Sequence, residues 1–249
     1  MKDKLFSLKE IELEINSYKN SEQAKLAARY FKTAKGEYAE GDRFLGISVP
    51  VQRSIARKYA NLSLRDIIYL LQSNWHEIRL IALFLLEHRY SHPHKDPSFQ
   101  NSEQIVTIRK EVFDSYVANF SKINNWDLVD ASAYKIIGRH LYDKDRSILY
   151  QWARSKILWE RRIAIIATFY FIQKMDFEDT FSLSELLLSD KEDLMHKACG
   201  WMLREIYKKD SRRALAWTEK FKLKMPRTML RYAIEKVPEI KRKQILNAK

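Results

Sequence analysis

Five glycines and five prolines in 249 residues leave too few tight turns for an all-β fold. The chain must therefore bury its apolar residues by helix packing, and the periodicity agrees. Ile11, Ile15 and Tyr18 are spaced for one helix. Residues 24–31 suit another, with Ser21 as its N-cap. Pro50 fits the first turn of a helix running through Ile55 and Tyr59, and Ser63 with Asp66 reads as a capped start. A long apolar helix is expected over 75–90. Further helices are expected near 102–120, 124–142, 146–155, 157–174, 179–189, 191–208, 211–222 and 226–236. No stretch alternates convincingly as a strand. Residues 35–46 hold three of the five glycines and form the longest expected loop of the first half. The break at 92–97, with two prolines and two histidines, could divide the chain weakly.

A degenerate repeat runs through these helices. A polar residue stands three before a small one at Arg79/Ala82, Asp130/Ala133, Arg161/Ala164 and His196 or Lys197 before Cys199/Gly200. Irregular spacing on this scale suits HEAT-like helical hairpins. The fold expected is all-α: an α-α superhelix of such hairpins, a curved solenoid with a basic concave face, in one domain spanning 1–249. The plainer alternative is an irregular helical bundle.

The formal net charge is +13, and between Leu203 and Lys249 fifteen Lys or Arg stand against five acids. Such a surplus favours polyanions; a solvated basic helix pair is the blander reading. The single cysteine, Cys199, excludes an internal disulfide and reads as a small packing residue. No signal-peptide-like run opens the chain, and the most apolar run, 163–172, is too short to span a bilayer. A cytoplasmic protein associated with the nucleoid, probing DNA as a monomer without a membrane, is the expectation. His88, His92 and His94 match no strong zinc pattern, and no metal or other cofactor is expected.

The chemistry-bearing block is Asn124-Asn125-Trp126-Asp127-Leu128-Val129-Asp130. Trp126 and Asp130, four apart, share one helix face, whereas Asp127 points elsewhere as a structural acid. Asp130 could equally cap a neighbouring helix or pair with Arg162. Lys197, Trp201, Arg204 and Lys208 form one helical stripe. Such a stripe can stack on a base or sugar while its cations hold phosphate, or it can be a snorkelling rim around a core tryptophan. Of the adjacent Arg161 and Arg162, only one can face inward.

With these blocks, and with Phe44-Leu45-Gly46-Ile47-Ser48-Val49-Pro50, the chain resembles the AlkD-type DNA alkylation repair proteins, HEAT-like-repeat alkylpurine DNA glycosylases. The resemblance covers roughly residues 28–232. It implies a monofunctional glycosylase, a hydrolase that excises positively charged N3- or N7-alkylated purines from double-stranded DNA without base flipping. It implies that Asp130, Trp126 and Trp201 surround the deoxyribose of the lesion. It also implies that Arg162 contacts the backbone and that Tyr30 belongs to the site. Ser48 stands where active members carry a glutamine, Asn125 where some carry another tryptophan, and the 35–43 loop is longer than in the compact form. DNA contacts are expected at Tyr30, Ser48, Arg162, Lys197, Arg204, Lys208, Arg212 and Arg213. The alternatives are a non-catalytic HEAT-repeat protein that recognises damaged or branched duplex, and a helical scaffold for another protein.

Overall fold

A computed structural model describes residues 6–95 and 98–247. The regular elements among the described residues are all helical, with no strand and one isolated backbone bridge, Arg43 to Trp75. The chain falls into two compact units, Met1–Ser132 and Ala133–Lys249. The break at 92–97, of which Asp96 and Pro97 lie outside the described residues, is not the boundary between them. No described helix is long and apolar enough to cross a membrane.

The first unit contains α1 (Leu8–Ser17), α2 (Ser21–Tyr30), α3 (Val49–Lys58), α4 (Leu64–Leu71), α5 (His76–Ser91), α6 (Gln104–Ala118) and most of α7 (Trp126–Ala133). Local chemistry sets the starts. Ser7 and Glu10 form a reciprocal capping box on α1. Ser63 Oγ accepts from the Asp66 amide at α4, as expected from sequence. The cap of α2 is Asn20 rather than Ser21: its Oδ1 accepts from the amides of Glu22 and Gln23. Asparagine reaches two orphan donors from outside the helix, which leaves Ser21 as its first residue. Helix α5 is the core of this unit. It packs against α3, α4 and α6, and Leu80 to Leu86 are all buried.

The second unit opens with a π-helical turn, Tyr134–Gly138, followed by α8 (Arg139–Leu141), α9 (Ser147–Trp152), α10 (Leu158–Gln173), α11 (Glu178–Leu186), α12 (Asp193–Lys209), α13 (Ser211–Phe221), α14 (Arg227–Ala233) and α15 (Glu239–Asn247). The helix expected over 124–142 is thus interrupted by a wider turn. At that turn α10 comes so close that a Cβ on Gly138 would stand 2.1 Å from the Ala167 carbonyl oxygen. Gly200 lets α12 and α14 meet in the same way; a Cβ there would lie 2.5 Å from the Met229 carbonyl. Helix α15 lies beyond the last helix expected from periodicity.

Candidate functional site

The repeat seen in sequence has a concrete physical basis. Ser73 Oγ accepts from the Trp75 amide at 3.1 Å, fixing the lead into α5, and Arg79, six residues on, donates back to the Ser73 carbonyl at 3.1 Å. Ser155 accepts from the Ile157 amide at 3.0 Å, and Arg161 donates to the Ser155 carbonyl at 3.0 Å. Asp190 accepts from the Glu192 amide at 3.0 Å, and His196 Nε2 donates to the Asp190 carbonyl at 2.6 Å. Three residues further on, Ala82, Ala164 and Cys199 are buried. Each arginine also reaches the next lead: Arg79 to Asn124 Oδ1 at 3.1 Å, Arg161 to both carboxylate oxygens of Asp190 at 2.6 and 3.2 Å.

Counted from Asn124, the residue six on is Asp130, and nine on is the buried Ala133. A carboxylate accepts and cannot donate to a carbonyl, so Asp130 cannot fasten its own lead as Arg79, Arg161 and His196 do. The preceding elements do it instead. Arg79 holds Asn124, Asn125 Nδ2 donates to Asp42 Oδ2 at 3.1 Å, and Asp127 accepts from His76 Nε2 at 2.8 Å. Asp127 therefore has the structural role expected of it. Asp130 lies one turn beyond Trp126 on α7 and is half-buried.

His76 is the centre of this splint. Its Nδ1 faces Asp42 Oδ2 at 3.1 Å and its Nε2 faces Asp127, and Arg79 Nη2 donates to Asp42 Oδ1 at 2.6 Å. Carboxylates at both ring nitrogens require both to carry protons, so the ring is an imidazolium. Burial opposes its charge. The hydrogen bonds and charges of Asp127 and Asp42 outweigh that and push its pKa up to about 9. Burial likewise opposes ionisation of Asp42, but His76 and Arg79 hold its carboxyl below the ordinary value. Stability linked to His76 is complete below its ordinary pKa near 6.5 and is lost as pH rises through about 9. Chemical denaturation should show roughly 3 kcal/mol lost across that window. The loss should be absent in His76→Gln; a wild-type profile flat from pH 7 to 9 would contradict it.

The aromatic column beside this network joins Trp126 and Tyr30, both expected at the site, to Phe31, Phe44 and His76, to which sequence reading gave no role. Phe31 stacks on Trp126 at 5.3 Å between centroids and on Phe44 at 5.1 Å, and Phe44 stacks on His76 at 4.7 Å. Trp126 Nε1 donates to the Tyr38 hydroxyl at 3.2 Å, which brings the glycine-bearing loop onto the indole. Tyr30, 67% exposed, meets the Trp126 ring edge-on at 6.0 Å. A cavity of about 380 Å³ opens beside the column, with Tyr30, Phe31, Phe44, Ser48, Gln52 and Asp127 among its lining. Its floor is fixed by Glu77, whose carboxylate accepts from the amides of Leu45, Gly46 and Ile47 at 2.9, 2.8 and 3.3 Å. The one available signal was the polar run His76-Glu77-x-Arg79 opening a helix whose middle, Leu80 to Leu86, is apolar.

In the second unit the expected DNA contacts are spread over three helices. Trp201 on α12 donates to Glu205 Oε1 at 3.0 Å, and Lys208 meets the same oxygen at 2.7 Å. Lys197 pairs with Asp193 at 2.7 Å, and Arg204 pairs with Glu235. On α13 Arg213 pairs with Glu178 and lies over the rings of Phe177 and Phe181, whereas Arg212 is exposed with no ionic partner among the described residues. Arg162 on α10 is only 4% exposed and donates to the Leu194 carbonyl. Its neighbour Arg161 holds Asp190.

The sequence profile described as DNA alkylation repair enzyme matches residues 11–237. The chain belongs to the DNA alkylation repair enzyme family. Among solved structures it is similar to the "Predicted DNA alkylation repair enzyme from Enterococcus faecalis". The TM-score is 0.64 at 18% identity, over 89% of this chain and 97% of that one, a likeness of fold. No curated protein sequence matched. Membership of the DNA alkylation repair family assigns the protein to repair of alkylated DNA and makes DNA its partner.

Proposed function

We propose that the protein is a DNA glycosylase that hydrolyses the N-glycosidic bond of N3- and N7-alkylated purines in duplex DNA. Such a purine is cationic and leaves without protonation, so no general acid is required. Positive charge grows on the sugar as the bond breaks. Asp130 supplies the fixed carboxylate that stabilises this charge and orients the attacking water. The face of Trp126 adds cation–π attraction, and the resemblance gives Trp201 a matching role. The observation that carries the reading is the place of Asp130 in the repeat. Where three other helices put a hydrogen-bond donor that fastens the chain, α7 puts a carboxylate one turn from an indole. Tyr30, Ser48, Lys197, Arg204, Lys208, Arg212 and Arg213 are assigned to the DNA backbone, whereas Arg162, buried and bonded to the Leu194 carbonyl, is left out of that set. Incubation with duplex DNA carrying 7-methylguanine should release free base, and no release over many hours would overturn the proposal.

The alternative, recognition of damaged or branched duplex without excision, draws on the exposed cations of α12 and α13. Both readings require salt-sensitive binding with little sequence preference. Arg212→Ala should weaken binding about equally for all sequences and lower the slope of log affinity against log salt by about one. Neutralising Arg204, Lys208, Arg212 and Arg213 together should cost more than tenfold in affinity at low salt. Equal binding by the quadruple variant would remove these residues from the interface.

A further inference from the structure

We infer that Tyr38 is a positioning residue for Trp126: through its hydroxyl, the loop over residues 35–43 sets the angle at which the indole meets the sugar of the lesion. The inference rests on the reading of Trp126 as a wall of that sugar's site. Phe31 stacks on the indole at an interplanar angle of 25°, with centroids 5.3 Å apart, and Tyr30 meets it edge-on at 6.0 Å. Both are ring contacts, and rings in contact can slide and turn past one another because dispersion has little direction. A hydrogen bond does have direction, and Nε1–H is the one donor of an indole. The Tyr38 hydroxyl accepts from it at 3.2 Å. That bond fixes the rotation of the ring in its own plane.

The loop is built to hold Tyr38 in place. Ala39 is buried, and its amide donates to the Lys32 carbonyl at 3.3 Å. Glu37 Oε2 accepts from the Ala34 amide at 2.9 Å, and Glu40 Oε2 accepts from the Gly36 amide at 2.7 Å. The loop's own carboxylates thus close its turns. Four residues after Tyr38, Asp42 is pinned by His76, Arg79 and Asn125. Asn125 directly precedes Trp126, so the loop is tied to the start of α7 twice, once through Asp42 and once through Tyr38. A hydroxyl held in that frame can aim a ring. The aim matters because cation–π attraction requires the charge over the ring, within about 6 Å of its centroid. Asp130 already stands at a fixed place one turn along the same helix, and both groups must address the same sugar. A misplacement of about 1 Å can cost about 10²-fold in rate.

Tyr38→Phe removes one oxygen and keeps the ring. Single-turnover release of 7-methylguanine should fall about tenfold while affinity for undamaged duplex stays within about twofold, the split expected when a group is misaimed rather than lost. The indole N–H resonance of Trp126, one of six in the chain, is assigned by its disappearance in Trp126→Phe and should move upfield in Tyr38→Phe. In a Trp126→Phe background, which has no indole donor, Tyr38→Phe should cost nothing further. A second arm involves no excision. Duplex carrying a cationic pyrrolidine in place of the lesion's sugar is compared with duplex carrying neutral tetrahydrofuran there. Wild type should bind the pyrrolidine about tenfold tighter, and Tyr38→Phe should narrow that preference about threefold. A wild type that shows the preference but releases no base would sink the glycosylase reading alone, and the narrowing would still support Tyr38. The inference is overturned by an unchanged preference in Tyr38→Phe, by an unchanged release rate against an active wild type, by a further loss in the Trp126→Phe background, or by an indole resonance that does not move. A wild type with no preference for the pyrrolidine overturns it as well.

Discussion

Asp130→Asn should reduce release of 7-methylguanine from duplex DNA by 10²–10³-fold, about 3–4 kcal/mol of barrier, the usual cost of removing one preorganised electrostatic group. Asparagine keeps the shape of the side chain and its place on α7, so affinity for undamaged duplex should stay within about twofold. The loss falls on the transition state because only there does the sugar carry a full positive charge. Trp126→Ala removes an aromatic wall and leaves the carboxylate. It should cost excision less, although it also breaks the stack on Phe31 and the bond to Tyr38. A deaminated purine, neutral and not pre-activated as a leaving group, should be a poor substrate for the wild type. Single-turnover release of base, measured beside binding, checks all three. An Asp130→Asn variant as fast as the wild type would remove Asp130 from the chemistry.

Gly46→Ala is expected to destabilise the protein by about 3–5 kcal/mol. The backbone of Gly46 has φ +79°, a conformation that costs other residues ~1–3 kcal/mol. A Cβ there would stand 2.1 Å from the Asn20 carbonyl oxygen and 2.6 Å from the Ala24 amide nitrogen, so the start of α2 must move. Relieving such an overlap adds ~1–3 kcal/mol. The displacement would also pull the Gly46 amide from Glu77 and shift Ser48 at the cavity wall. For a chain of this length the melting temperature should fall by about 10 °C. Gly36→Ala is the control. Its φ of +82° is as unusual, but nothing lies within 4 Å of the added carbon, so only the backbone cost of ~1–2 kcal/mol remains. Similar losses in both variants would show that the close approach to α2 is unimportant.

The helical class could be read from sequence because it follows from local rules: scarce turn residues, apolar spacing, and caps such as Ser63. The π-helical turn could not. It depends on how near α10 comes to Gly138, a tertiary distance that no local pattern records. The polar member of the repeat was visible as a spacing, but its function was not. Seeing that Arg79, Arg161 and His196 each reach back six residues takes coordinates, because a carbonyl acceptor has no sequence signature. For the same reason Asp130 stood out by its neighbours, Trp126 and the family-like block, rather than by its departure from the repeat. The splint of Asp42, His76 and Asp127 has no local signature, because His76 lies 34 and 51 residues from its two partners. Arg162 was assigned to phosphate from resemblance, and its internal bond to the Leu194 carbonyl has no counterpart in any linear pattern.

The fastening of each helix start by a residue six positions on has a consequence for how such a chain can acquire chemistry. Tandem copies begin as equivalents, and a position that holds the fold in every copy tolerates little change. Arg79 holds Asn124 and His76 holds Asp127, so the lead into α7 is fastened without a donor at the corresponding position. A carboxylate can stand there without loosening that lead. Redundancy between neighbours, rather than slack in the copy itself, is what makes room for a new reactive group in a protein whose every turn is otherwise committed to holding its shape.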